Sequence, residues 1–336
     1  MEVSFDLTIA WALLLAFATF VYVVLDGFDL GIGILYPFFP EKSDRDLMMN
    51  SVAPVWDGNE TWLILGGGGL FAAFPLAYAI ILPAVYVPII VMLLALIFRG
   101  VAFEFRWRSQ RRFSARAWDM SFICGSVVAA LMQGIILGTL LQGIEIDGRA
   151  YGGDWLTPFT LVVGLGVVAG YALMGACWLN WKLEGAVQQR VKKAAQLSGL
   201  LSLGFIALVS ALTPTLEAAY WMRWLSFPQI LFVVPVPLLT GLIGYVLARS
   251  LYKGGHDWLP MLMVVLLFLL CFVGLGISIW PYIIPTEVTI WQAASPYKSQ
   301  LFMFVGAIVL VPIILAYTGF AYWVFRGKLD PEDGYH

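Results

Sequence analysis

Long runs without a charged residue constrain this chain more than any other feature. Stretches free of Asp, Glu, Lys and Arg cover 7–25, 61–98, 120–144, 155–181, 194–216, 224–248, 258–286 and 299–325. About 20 apolar residues suffice to cross a bilayer as a helix. In lipid the backbone must satisfy its own hydrogen bonds, so these runs read as helices. The 61–98 run is nearly twice the needed length, and "AFPLAY" breaks it around Pro75, so it holds two. The expectation is an all-α integral membrane protein of about nine transmembrane helices, with residues 1–336 forming a single polytopic membrane domain. Only 12% of residues are charged, about half the share usual in a soluble domain. That is too little to cover a water-exposed surface of this size.

Lys and Arg then set the orientation. With the N-terminus outside, the inner loops hold 16 of them and the outer loops only Arg149, Arg223 and Lys298. This is a strong positive-inside bias, and adding or dropping one span would scramble it. The N-terminus is therefore expected to be periplasmic and the C-terminus cytoplasmic. Met1–Asp6 is acidic and no cleavage site follows the first apolar run, so that run reads as a retained helix. The longest loop, about 99–118, contains "EFRWRSQRRFSARAW" and reads as a basic orientation anchor. Residues 145–154 read as a turn-rich connector, and the tail "KLDPEDGYH" as a frayed end. A net charge of −2 argues against a nucleic-acid partner.

Four acids lie within or beside the first two spans. Asp26 and Asp29 stand three apart in "VYVVLDGFDLGIG", on one helix face. Asp57 and Glu60 repeat that spacing in "WDGNETW". Asp29 precedes the centre of the intervening loop by about as many residues as Asp57 follows it. Antiparallel neighbours would bring all four to similar depth, in the cytoplasmic part of the membrane. An unpaired charge deep in a bilayer costs at least about 2.5–3.5 kcal/mol. Neither span contains a Lys or Arg to neutralise the acids. Burial and mutual repulsion would then leave at least one of them neutral and protonatable, as in proton relays. Asn59, Thr61, Trp56 and Trp62 offer polar groups to orient them. The alternative is that Asp26, Asp29 and Asp57 cap helix ends or sit at the interface, with Asp57 as N-cap of a helix starting at Gly58. Gly66, Gly67, Gly68 and Gly69 read as a helix-packing seam; they could equally admit a file of water.

Cys124, Cys177 and Cys271 are isolated within apolar runs and read as buried small hydrophobes. The two histidines are His256, in a loop, and His336, the last residue. Haem iron usually takes His, Met, Cys or Tyr. Met132, Met174 and Met303 read as packing, so no haem or metal ligand is expected from this chain. No zinc pattern, P-loop, nucleophile motif or dinucleotide fingerprint appears. Alone, the chain reads as a proton-handling or supporting subunit.

The segments "LDGFDLGIG", "NSVAPVWDGNETWLILGGGGLFAAFP", "GTLLQGIEI", "PYIIP" and "VTIWQAASP" resemble, in order and spacing, subunit II of cytochrome bd-type quinol oxidases. The resemblance spans essentially the whole chain, and the "WDGNETWL" block is its most specific part. Glu60 and the compact length resemble the cyanide-insensitive branch. The resemblance implies a bacterial cytoplasmic-membrane complex that oxidises quinol, such as ubiquinol, and reduces oxygen to water. It implies two four-helix bundles plus one peripheral helix. It implies a subunit I that carries b- and d-type haems, with a small single-helix subunit and membrane lipids as further partners. Subunit II would supply a cytoplasmic proton path and a site for a structural quinone or lipid. The family's proton-path carboxylate matches Asp57, with Asp26 or Asp29 nearby; Glu60 stands where part of the family has an amide. The rival classes are a proton-coupled transporter and a purely structural subunit. Transporter sites usually lie at the midplane, between internal repeats, and neither feature is evident here.

Overall fold

The computed structural model describes residues 6–108, 112–144 and 155–329. The first helix, α1 (Leu7–Leu35), has 29 residues, about 43 Å of length. Asp6 caps it, accepting hydrogen bonds from the amides of Thr8 (2.9 Å) and Ile9 (3.3 Å). The apolar run stops at Asp26, but the helix does not: Asp26 and Asp29 lie inside it, both buried. The alternative that these two acids cap helix ends is therefore overturned. A 3₁₀ turn (Tyr36–Phe38) and α2 (Lys42–Asn50) lead to α3 (Trp56–Ala73). The N-cap of α3 is Val55, without a side-chain bond. Asp57 sits in the first turn and is not an N-cap, contrary to that alternative.

The 61–98 run divides twice rather than once. The break at Phe74, before Pro75, is the expected one; a second at Val85 separates α4 (Pro75–Ala84) from α5 (Tyr86–Arg108). Among the described residues, the basic segment 99–118 is helical. Helix α5 continues to Arg108, and α6 (Arg112–Gln142) begins shortly after. Charged residues closed the span on sequence grounds, yet Arg99 and Arg106 are helical and only 1% and 7% exposed. The chain goes on through α7 (Pro158–Lys182), α8 (Gly185–Leu212), a 3₁₀ turn (Thr213–Thr215), α9 (Ala218–Leu225), α10 (Ile230–Val233), α11 (Pro235–Lys253) and α12 (Leu259–Ile279). "PYIIP" and "VTIWQAASP" form an antiparallel hairpin, β1 (Tyr282–Ile284) and β2 (Val288–Thr289), followed by α13 (Ile290–Ala293). The last helix is α14 (Tyr297–Val324). Among the described residues, 8 helices are long and apolar enough to cross a membrane; α3, with 18 residues and two acids in its first turns, is not one of these.

Helix α1 is the hub, packed against α7, α3 and α6. Lipid tails are as apolar as Leu, so helices associate through close packing, which small residues permit. At the α1–α7 crossing, a Cβ on Gly31 would lie 1.9 Å from the Tyr171 carbonyl oxygen, and one on Gly175 would lie 2.5 Å from Gly31 C. Phe28 stacks on Trp178 nearby, with centroids 4.4 Å apart. Cys177 and Met174 are buried in this core, and Met132 and Met303 pack beside core clusters. Cys124 and Cys271 depart from expectation and are exposed on the outer surface of the helices.

The chain is pinned at both ends. On one side Trp291 Nε1 donates to Asp6 Oδ2 at 2.9 Å, and Trp11 Nε1 donates to the Gln300 carbonyl at 3.1 Å. At the basic end, Lys328 donates to Asp257 Oδ2 (2.7 Å) and to the Leu183 carbonyl (3.0 Å), and the Leu329 amide donates to the Lys182 carbonyl (2.9 Å). The start of the tail is therefore latched rather than frayed. Residues 330–336 and the connector 145–154 lie outside the described residues.

Candidate functional site

Three helices meet around one guanidinium. Arg99, on α5, has its Nη2 at 3.3 Å from Asp26 Oδ1 and 3.6 Å from Asp29 Oδ2, both on α1. Its Nη1 contacts Glu60 Oε1, on α3, at 2.5 Å. Arg99 and Asp26 are 1% exposed and Asp29 is 0%. Close packing of α5 on α6 holds Arg99 in place: a Cβ on Gly125 would come 2.6 Å from the Ala95 carbonyl oxygen and 2.9 Å from Arg99 Cβ. The Arg99 guanidinium lies over the Trp56 ring at 5.4 Å, a cation–π contact, and Trp56 stacks on Phe103.

Asn59 ties the acids to the far end of the chain. Its Nδ2 donates to Asp29 Oδ2 at 2.8 Å, and its Oδ1 accepts from the Tyr322 hydroxyl at 2.8 Å. A second polar chain lies on the other side of Asp26. The Tyr171 hydroxyl donates to Gln133 Oε1 at 2.6 Å, and Gln133 Nε2 donates to the Tyr22 hydroxyl oxygen at 2.7 Å. Tyr22 is one helical turn from Asp26.

Two turns along α5, about 10 Å away, a second ionic group gathers. Arg106 pairs with Asp119 at 2.6 Å and with Asp46 at 2.7 Å, and Arg45 pairs with Asp119 at 3.1 Å. Asp46 is 26% exposed at its side chain and Asp119 13%. At this end Asp44 also pairs with Arg190 of α8, at 2.6 Å.

As the spacing of the acids predicts, Asp26, Asp29 and Glu60 come together, but around a cation, Arg99, that lies beyond the apolar run of its span. The premise that these acids have no counter-charge does not hold. Asp26 and Asp29 are both buried. Asp57 does not join the Arg99 ion pairs: it is exposed, one turn before Glu60 on α3. With Thr61, Ile64, Gly68 and Phe71 it forms a stripe of exposed residues spaced four and three apart, one face of the helix. Of the polar groups expected to orient the acids, Asn59 and Trp56 take part; Thr61 bonds to its own helix, and Trp62 packs with Ala18 and Tyr22. The glycine seam holds at one position. A Cβ on Gly69 would meet Leu15 at 2.4 Å, and one on Gly66 would reach Thr19 only at 3.8 Å. Gly67 and Gly68 face open space instead. Arg99, Asp46, Asp119, Gln133, Tyr22, Tyr171 and Tyr322 were missed on sequence grounds. A buried carboxylate trio demands a cation, and that demand points to the first Arg after the second span.

No group of three or more His, Cys, Asp and Glu arranged to hold a metal occurs among the described residues. His256 lies between α11 and α12, stacked on Trp258.

This fold and site define a multi-pass helical membrane protein with an ion-paired carboxylate cluster inside its helix bundle. Residues 7–325 match the family model of cytochrome bd terminal oxidase subunit II. The chain belongs to that family and is thereby a membrane subunit of a respiratory quinol oxidase. It is 31% identical to cytochrome bd-I ubiquinol oxidase subunit 2 of Escherichia coli K12, over 96% of this chain and 95% of that one. It is 27% identical to cytochrome bd ubiquinol oxidase subunit 2 of Bacillus subtilis, over 96% and 97%. The fold is similar to that of a chain in the bd oxidase structure from Geobacillus thermodenitrificans, with a TM-score of 0.79 at 16% identity, over 95% of this chain and 98% of that one.

Proposed function

We propose that this chain, as the subunit without haem ligands, conducts protons from the cytoplasm to the haem-bearing subunit I of a bd-type quinol oxidase. The observation behind this reading is the buried cluster in which Arg99 gathers Asp26, Asp29 and Glu60 from three helices. Ionisable groups at such depth are costly and mark ion or proton routes by default. With α3 counted as a ninth span and the N-terminus outside, the basic end faces the cytoplasm. Protons then arrive beside the partly exposed Asp46 and Asp119 and pass along waters to Glu60 and its buried neighbours. Asp57, on the outward stripe of α3, hands them to the partner packed along that stripe. Gly67 and Gly68 leave room there for another helix to approach closely.

The partner's b- and d-type haems supply the electron transfer and the oxygen chemistry. Ubiquinol gives up its own protons on the outer side, so charge separates without a pump. Nearly all of α14 is exposed, with only Gln300 and Val311 buried. That surface suits subunit I, a small single-helix subunit, lipid or a structural quinone. The test is Asp57→Asn in the assembled complex: oxygen reduction should slow while the haem spectra stay intact. Unchanged turnover would remove Asp57 from the route.

The Arg99 pairing also favours a second reading, in which the cluster only fixes helix positions. Asp26→Asn and Glu60→Gln would then lower thermal stability and leave turnover untouched. A proton-coupled transporter would purify as a colourless protein; a haem-rich partner that co-purifies supports the oxidase.

A further inference from the structure

The chain Tyr171–Gln133–Tyr22 links α7, α6 and α1 beside Asp26, and the route proposed above makes no use of it. Its directions are informative. Gln133 Oε1 accepts from the Tyr171 hydroxyl, so the Gln133 NH₂ group points at the Tyr22 oxygen. That bond occupies an acceptor site of Tyr22 and leaves the Tyr22 proton free to donate. One turn along α1 lies Asp26, whose two carboxylate oxygens accept no fully formed hydrogen bond among the described residues. A phenol proton directed there answers a need that Arg99, at 3.3 Å, meets only in part. The flipped amide would draw the Tyr22 proton to Gln133 and leave a buried carboxylate short of donors, an unmet desolvation penalty. Asp26 thus selects the amide orientation, and Tyr171 donates to the oxygen which that orientation presents.

We propose that Gln133 is a positioning residue: hydrogen-bonded to Tyr171, it turns the Tyr22 hydroxyl proton toward Asp26 and so sets the proton affinity of the innermost acid. A carboxamide donates and accepts hydrogen bonds without titrating near neutral pH. Gln133 therefore orients the relay and carries no proton itself. The charged and titratable groups around Asp26 are Arg99 from α5, Glu60 from α3, Asp29 and Tyr22 from α1, Tyr171 from α7 and Tyr322 from α14. The inference rests on Asp26 belonging to the proton route.

The test uses the assembled complex carrying Tyr22→Phe, Gln133→Met or Tyr171→Phe, and measures oxygen consumption against pH. Tyr22→Phe and Gln133→Met should shift the pH profile in the same direction and by similar amounts, with Tyr171→Phe shifting it less. Infrared difference spectra should show the Asp26 carboxyl signal, assigned by its loss in Asp26→Asn, displaced alike in the first two variants. A Gln133→Met profile and carboxyl signal that superimpose on those of the unmodified complex would overturn the proposal, whatever Tyr22→Phe does. Full turnover with an unchanged profile in Asp26→Asn would instead remove Asp26 from the route. The infrared signal would still report whether Gln133 orients Tyr22.

Discussion

Arg99 Nη2 lies 3.3 Å from Asp26 Oδ1, and each residue is 1% exposed. This one contact joins α5 to α1 across the part of the membrane where the first two spans place their acids. It also explains how those acids can be there at all. Burying ions costs several kcal/mol each, and the attraction repays that only with good geometry and further hydrogen bonds. Asn59 and Trp56 supply part of that support.

Removing the shared cation should be worse than removing any one acid. Arg99→Leu leaves three carboxylates without their ion pair, a loss of about 3–5 kcal/mol for a broken buried pair. The thermal midpoint of the complex should fall further for Arg99→Leu than for Asp26→Asn. The double variant should recover part of the difference. Arg99→Lys should rescue poorly, because a single ammonium cannot fork between three partners. Equal midpoints for Arg99→Leu and Asp26→Asn would show that the cation is not the centre of the cluster.

Glycine substitutions should separate internal packing from the partner surface. Gly31→Ala drives a methyl into the Tyr171 carbonyl and should abolish accumulation of the chain in membranes. Gly68→Leu meets nothing within this chain, so the chain should still accumulate. Co-purification of the haem subunit should fall instead. A Gly68→Leu chain that retains its full complement of haem partner would place the interface elsewhere.

The C-terminal latch should open in acid. Partial burial pushes the Asp257 carboxyl up, but its hydrogen bond to Lys328 and the charges of Lys328 and Lys192 hold it below the usual carboxylate range. A group depressed on folding stabilises above its unfolded value, about 3.9 for Asp. That contribution is lost as pH falls through the lower folded value. Protection of the Leu329 amide, its exchange rate relative to the intrinsic rate at the same pH, should therefore hold down to about pH 4 and fall below it. In Asp257→Asn protection should be low throughout, and full protection that does not change with pH in that variant would rule out the ion pair as the latch.

Much of this arrangement is legible in sequence because a bilayer imposes one simple rule, that apolar length makes a span. The runs found that way coincide with the major helices, and the spacing of Asp26, Asp29 and Glu60 correctly brings those three acids together. The misplaced helix ends at Asp26 and Arg99 share one cause: a charge reads as a boundary. Helix α1 runs nine residues beyond Asp26, and α5 runs nine beyond Arg99, because each buried charge finds its partner on another helix. Pairing across helices is invisible to a rule that scores one span at a time. Asp57 shows the complementary limit. Its depth could be estimated from the turn, but its side of α3 could not, because that helix presents apolar residues and glycine on nearly every face.

The most direct test of the proton route is uptake of protons from the cytoplasmic side during a single turnover with oxygen. It would compare the complex in vesicles with and without Asp57→Asn or Glu60→Gln. The route predicts uptake slowed by about tenfold or more in both variants, the scale on which a placed proton-transfer group acts, with haem spectra and subunit composition unchanged. Uptake at full speed in assembled complexes lacking either carboxylate would contradict it.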